Sequence, residues 1–188
     1  MKMAPKRVNG GFEMDISNER LGLMLDEFEI KKVAHRFARG LDRADKDIIQ
    51  SCFHPDGTDD HGIFQGSASD FCDWVMNALE NYRATQHIIS TQNAEISGNK
   101  AVCESYFFAH HLMDNDAGSL EIIASGRYVD AMEKRDGVWK IKHRQAIFDW
   151  NRVGKEAPTP SNPKSHLMTK GTKGEGDKSY EMFSALLS

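Results

Sequence analysis

The hydrophobic period of this chain changes once, and that change constrains the fold more than any other feature. From Asp26, apolar residues fall at Ile30, Val33, Ala34, Phe37 and Leu41. This is the i, i+3, i+4, i+7 spacing of a helix with one buried face. A short second helix fits Lys46 to Phe53, stopped by Pro55. Asp59 to Ile63 reads as a short strand. A third helix fits Ser67 to Tyr82, with Ser67 or Ser69 as its cap and Phe71, Val75, Ala78 and Leu79 facing inward. Beyond it the period drops to two. His87 to Ile96, Ala101 to Met113, Leu120 to Lys134 and Val138 to Trp150 read as strands. The turns Ser97-Gly98-Asn99-Lys100, Asp114-Asn115-Asp116-Ala117-Gly118 and Arg135-Asp136-Gly137 join them. Helices first and a long antiparallel meander after them predict an α+β fold.

With 188 residues the chain can build one domain with a sizeable core. Residues 1–19 are polar and glycine-containing and are expected to form a mobile arm. The domain is expected over residues 20–153, and residues 154–188 form a C-terminal extension rich in Pro, Ser, Gly and Lys. Gly171-Thr172-Lys173-Gly174-Glu175-Gly176 reads as flexible. The tail then ends in Tyr180, Met182, Phe183, Leu186 and Leu187, which are apolar enough to serve as a lid or a subunit clasp. A net charge of −4 with scattered Lys and Arg does not suggest nucleic-acid binding. No apolar run approaches the roughly 20 residues that span a bilayer. The basic N-terminus runs into Val8-Asn9-Gly10-Gly11 rather than an apolar stretch, so a cytoplasmic protein is expected. Cys52, Cys72 and Cys103 are far apart, lack metal-ligand spacing and read as reduced core thiols.

Two residues carry the chemistry. Asp42, in Arg39-Gly40-Leu41-Asp42-Arg43-Ala44-Asp45, lies near the end of the first helix, and His87, in Thr85-Gln86-His87, opens the first long strand. A carboxylate that orients an imidazole is a minimal apparatus for moving a proton. By spacing alone, Asp42 reads more readily as a solvated helix end and His87 as a satisfied core or edge histidine. The surrounding stretches add more. The helix through Asp42, Cys52-Phe53-His54-Pro55-Asp56, Asp59-Asp60-His61-Gly62, Phe64-Gln65-Gly66, Gly126-Arg127-Tyr128 and the hairpin from Glu133 to Ile141 resemble the SnoaL-like branch of the nuclear transport factor 2-like superfamily. The resemblance covers residues 20–153. It implies a cone in which a strongly bent sheet wraps the N-terminal helices around a deep pocket. Catalytic members, such as scytalone dehydratase-like, dehydrochlorinase-like and bile-acid dehydratase-like enzymes, pair an aspartate at the position of Asp42 with a histidine at that of His87. It therefore implies a cofactor-independent lyase, with no metal, acting on a small apolar, aromatic or phenolic substrate. The reaction would eliminate water, or formaldehyde from a hydroxymethyl side chain. Isomerases and cyclases use the same parts. Non-catalytic β subunits of ring-hydroxylating dioxygenases share the fold. These alternatives stay open on sequence.

Further candidates complete the expected site. Alternation along the strand from Ala101 places Val102, Glu104, Tyr106, Phe108 and His110 on one face and Cys103, Ser105, Phe107 and His111 on the other. The face of Tyr106, Phe108 and His110 is expected to line the pocket. On the last strand Trp139, Ile141, His143, Gln145, Ile147 and Asp149 lie opposite Arg144 and Trp150, unless a bulge exchanges them. Arg144 is expected either to hold a substrate carboxylate or phenolate or to form a surface ion pair, and Trp150 to join the aromatic wall. Asp59 and His61 can converge, but two ligands are too few for a metal. Asp60 or His61 is expected at the pocket rim. Phe37 stands where some dehydratases of the superfamily place a tyrosine, so it can line a pocket but cannot donate a hydrogen bond. Tyr82, Tyr106 and Tyr128 are the available replacements. The outer face of the sheet is expected to pack against another copy, giving a dimer or trimer.

Overall fold

The computed structural model describes residues 7–8, 11–12, 17–116, 118–156 and 164–187. Two short strands, β1 (Arg7–Val8) and β2 (Gly11–Phe12), pair with each other. The rest of the expected N-terminal arm up to residue 16 lies outside the described residues. Helix α1 (Asn18–Arg43) starts well before Asp26, because the Ser17 hydroxyl accepts from the Arg20 amide and caps it. Its buried face is Ile30, Val33, Ala34, Phe37, Ala38, Gly40 and Leu41. Ala44 takes a left-handed conformation, φ 48°, and the Asp45 amide returns to the Gly40 carbonyl at 2.8 Å. Asp45 then caps α2 (Lys46–Ser51) by accepting from the Ile48 amide at 2.9 Å. Gly40 makes this tight joint possible, since a Cβ there would lie 2.7 Å from Ile49 Cγ1.

The next segment corrects the sequence reading. The short strand expected at Asp59 to Ile63 is β3 (Phe53–Asp60), and α2 stops before it. Pro55 therefore sits inside a strand. It is tolerated because the register between β3 and β8 breaks between Phe53 and Thr58, where its missing N–H interrupts no ladder. Strand β4 (Gln65–Ser67) pairs antiparallel with β3, and α3 (Ala68–Glu80) follows, capped by Ser67 rather than Ser69. Four long strands complete the sheet: β5 (Ala84–Ser97), β6 (Lys100–Asn115), β7 (Gly118–Arg135) and β8 (Val138–Lys155). The six-stranded order is β4-β3-β8-β7-β6-β5, antiparallel at every pair except β3–β8.

The curled, unclosed sheet wraps its inner face onto α1 and α3, which makes the α+β cone. The core between them holds Ile30, Phe37, Leu41, Phe53, Phe71, Leu79, Phe107, Tyr128, Trp139 and Ile141. All three cysteines are buried and unpaired. Burial pushes the thiols of Cys52 and Cys72 up to about 11, so both stay protonated at neutral pH.

After β8, short 3-10 turns at Ser165–Leu167 and Gly174–Gly176 precede helix α4 (Lys178–Leu187). The glycine-containing run is not a free linker. Arg43 Nη1 donates to Asp177 at 2.8 Å and to the Thr172 carbonyl at 2.7 Å. Lys173 Nζ donates to the carbonyls of Leu79, at 2.6 Å, and Tyr82. The Tyr180 hydroxyl donates to Asp45, and the Arg39 guanidinium lies 4.9 Å from the Tyr180 ring and 5.0 Å from that of Phe183. The tail thus packs on the C-terminal ends of α1 and α3 of its own chain. Among the described residues no helix is long and apolar enough to cross a membrane.

Candidate active site

Helix α1 delivers Asp42 in its last turn, against the start of β5. The two carboxylate oxygens accept from the His87 backbone amide, each at 3.0 Å, and the His87 ring approaches through Nδ1 at 2.8 Å. A carboxylate only accepts, so Nδ1 carries the proton of this bond and Nε2 is left to act. The backbone bonds also offset the negative end of the helix dipole, which would otherwise disfavour Asp42 there. The Asp42 side chain keeps 15% exposure and that of His87 7%, so the pair lies at the edge of the interior.

A second imidazole stands beside the first. The His111 ring lies 5.3 Å from that of His87, stacks on Tyr82 at 4.5 Å, and shares a 2.8 Å hydrogen bond between Nδ1 and the Thr85 hydroxyl. Burial, with the charges of His87, His110 and Lys173 acting the same way, lowers its pKa to about 4. His111 is therefore neutral across the physiological range.

Deeper in the cone, one row of the sheet carries Asp130 on β7, Arg144 on β8 and Asp59 on β3. Arg144 is fully buried and meets Asp130 through Nε and Nη2, both at 2.7 Å. Its guanidinium lies 4.0 Å from the Phe37 ring and 4.1 Å from that of Tyr128. Burial opposes the charge, but Asp130 more than offsets it and holds the guanidinium firmly protonated. Asp59 bonds the ring Nδ1 of His61, which stacks on Phe71 at 4.7 Å. The Tyr128 ring lies 5.8 Å from that of His61. Burial keeps its hydroxyl protonated well above the ordinary range; Arg144 opposes this, and Asp59, Asp130 and Asp42 reinforce it. Clefts of ≈ 310 Å³ beside His54 and Lys140 and of ≈ 570 Å³ between α2 and the tail lie outside this interior.

A model of the SnoaL-like domain matches residues 23–145. The chain belongs to the SnoaL-like family. The hexachlorocyclohexane dehydrochlorinase LinA-type3 from Novosphingobium barchaimii superposes with a TM-score of 0.64 at 18% identity, over 74% of this chain and 99% of that one. A scytalone dehydratase-like protein from Novosphingobium aromaticivorans gives 0.62 at 20% identity, over 76% and 95%. The Kfla4162 protein from Kribbella flavida gives 0.63 at 16%, over 69% and 95%. At these identities the likeness is one of fold. No curated protein matches the chain in sequence.

Within this SnoaL-like domain the expected site residues divide. Asp42, His87, Phe37, His61 and Arg144 face the interior. Tyr106, Phe108, His110 and Trp150 do not: all four lie on the outer face of the sheet. His110 bonds Glu121 at 3.0 Å, Arg127 lies over Tyr106, and Phe108 meets Trp150 edge to face at 6.3 Å. The inner face of β6 is instead Ala101, Cys103, Ser105, Phe107 and Ala109, whose mostly small side chains let α1 approach closely. Asp60 is spent on its own turn, accepting from the Gly62 amide at 2.8 Å and from Gln65 at 3.0 Å. Arg144 forms neither a surface ion pair nor an open clamp. A bulge at Lys142, between the pairs Met132–Ile141 and Ala131–His143, turns it inward. Sequence reasoning named Tyr128 as a possible donor and the convergence of Asp59 with His61, but missed His111 and Asp130 as interior polar groups. The small residues alternating along β6 were the signal that its other face was the covered one. Among the described residues no group of three or more His, Cys, Asp or Glu is placed to hold a metal.

Proposed function

We propose that this protein is a cofactor-independent lyase in which Asp42 and His87 perform general acid–base catalysis on a small apolar aromatic or phenolic substrate. The observation that carries this reading is the fixing of His87 Nδ1 by a carboxylate that also grips its backbone amide. The imidazole is held in one tautomer and one orientation, with Nε2 available as a base. Asp42 stabilises the imidazolium that forms when Nε2 takes a proton. The C–H electron pair becomes a double bond as the β substituent leaves. The aromatic interior, with Phe37, Phe71, Phe107 and Tyr128 packed beside a few polar groups, supports an apolar substrate over a charged one. Loss of water is the simplest reaction. A phenolic substrate with a hydroxymethyl side chain would instead lose formaldehyde.

The test is a panel of small aromatic hydroxy compounds incubated with the protein and followed by mass spectrometry for loss of water or formaldehyde. Turnover by the wild-type chain, lost in both Asp42→Asn and His87→Gln, is the expected result. Turnover that survives in either variant would remove the pair from the mechanism.

A further inference from the structure

We propose that His61, oriented by Asp59, is a second proton-transfer residue of this site and acts as the general acid on an oxygen leaving group. The inference rests on the reading of His87 as the base. Both histidines are held in the same way: a carboxylate binds Nδ1, and Nε2 makes no hydrogen bond to any described residue. The Asp59 side chain is wholly buried, whereas that of His61 is 20% exposed. His61 is thus the reachable end of a buried charged row. The Tyr128 ring is 5.8 Å from that of His61, and its hydroxyl feels the charges of both Asp59 and Asp42.

The two pairs differ in electrostatic setting, and the difference assigns their roles. The row Asp130, Arg144, Asp59 contains two carboxylates and one guanidinium. One negative charge is left to balance in the interior, where an unbalanced charge is costly. His61 is the imidazole that sits against this excess negative charge, so the donor's role falls to it. His87 faces a single carboxylate whose second role is to hold the backbone.

Two atoms point to the nature of the leaving group. Arg144 Nη1 and Asp59 Oδ2 are buried and have no hydrogen-bond partner. They belong to residues at paired positions on neighbouring strands. One needs an acceptor and the other a donor. A hydroxyl, or the water formed from it, is both. A halide can only accept and leaves Asp59 unsatisfied.

The step balances without a further reactant. His87 Nε2 takes the proton α to an activating carbonyl, and the C–H pair becomes the new C=C bond. The C–O bond breaks with its pair on oxygen, which takes the His61 Nε2 proton and departs as water. Exchange with solvent removes the proton from His87 and restores one to His61. The leaving group is therefore a hydroxyl β to the carbon that His87 deprotonates.

Matched probes test this. Propiophenone has no leaving group and reports only α-proton exchange in D₂O. β-Hydroxypropiophenone and β-chloropropiophenone both eliminate to phenyl vinyl ketone, but only the first needs its leaving group protonated. In His61→Gln the ratio of hydroxyl to chloride elimination should fall by about 10²-fold, the scale of a lost general acid. Asp59→Asn should lower the same ratio, while His87→Gln should slow both eliminations and leave the ratio alone. An unchanged ratio in His61→Gln, whether both rates fall together or neither falls, would overturn the inference, since packing does not distinguish the two leaving groups. Failure of the wild-type chain to exchange propiophenone would instead overturn the His87 base itself, and the inference with it.

Discussion

Arg144 and Asp130 form a two-point ion pair, 2.7 Å at each contact, with no solvent access to the guanidinium. The pair lies against Phe37 and Tyr128 in the middle of the cone and ties β8 to β7 where the Lys142 bulge alters their register. Removing Asp130 leaves Nε and Nη2 of the buried guanidinium without their charged acceptor. Asp130→Asn should therefore cost about 3–5 kcal/mol of unfolding free energy in urea titrations. The double substitution Asp130→Leu, Arg144→Met removes both charges together and should recover most of that loss. A double variant no more stable than Asp130→Asn would mean that the pair specifies the fold by more than charge balance.

The Asp42–His87 geometry makes a kinetic prediction. Asp42→Asn keeps the size and an acceptor for the His87 amide but loses the charge that stabilises an imidazolium. Turnover should fall by about 10²-fold or more with the melting transition intact, since general-base assistance contributes on that scale. Circular dichroism melts run beside the kinetics separate lost chemistry from lost fold.

The parts of this arrangement legible in the sequence are those set by local periodicity. The 3.6-residue period places Phe37 inside and brings Asp42 to the end of α1, and the turn residues separate the long strands. What alternation cannot reveal is which face of a strand turns inward. On β6 the aromatic residues Tyr106 and Phe108 lie outside, and the buried face is that of the small residues Ala101, Cys103, Ser105 and Ala109. Lys142 carries no mark of a bulge, yet it decides that Arg144 turns inward. In β3, His54-Pro55-Asp56-Gly57 has the composition of a turn and becomes a strand through its parallel pairing with β8. Tertiary pairing overrides local preference there.

His111 predicts the acid limb of stability. Its pKa is lowered to about 4 in the native chain, from 6.5 when unfolded. Above pH 6.5 neither state is protonated there, and stability does not change with pH through this residue. Below 6.5 the unfolded chain takes up a proton that the native chain refuses, so stability falls until about pH 4 and then levels. At about 1.4 kcal/mol per unit, the loss across that window approaches 3 kcal/mol. Urea midpoints measured from pH 7 to pH 4 check it, and His111→Gln should flatten this part of the profile. An equal slope in that variant would assign the acid sensitivity to other groups.

The outer face of the sheet carries an apolar row, Ile88, Phe108 and Trp150, in register across β5, β6 and β8 with Ser125 between the last two. Ile88 and Trp150 are each 51% exposed. A contiguous exposed patch of this kind favours association. Light scattering at micromolar concentration should show an oligomer, and the pair Phe108→Asp, Trp150→Asp should shift it to monomer without loss of the fold. A wild-type monomer under those conditions would show that this face stays in water.

The tail connects to the site through two neighbouring contacts. Arg43, one residue beyond Asp42, holds Asp177, whose carboxyl is kept well below the usual range by the Ser179 hydroxyl, by the amides of Thr172 and Ser179, and by Arg43 itself. Lys173 caps the carbonyls of Leu79 and Tyr82 at the C-terminal end of α3, where a cation is favoured. Tyr82 in turn stacks on His111, beside His87. Removing the tail should therefore loosen Tyr82 and admit water beside His111 and His87, which weakens the electrostatics inside. A chain ending at Glu156 should still melt cooperatively but show a raised KM and a lower kcat. Lys173→Met should reproduce part of the effect, because it removes the cap without removing the helix. If the shortened chain matches the full one in both constants, the tail packs on α1 and α3 without serving the site.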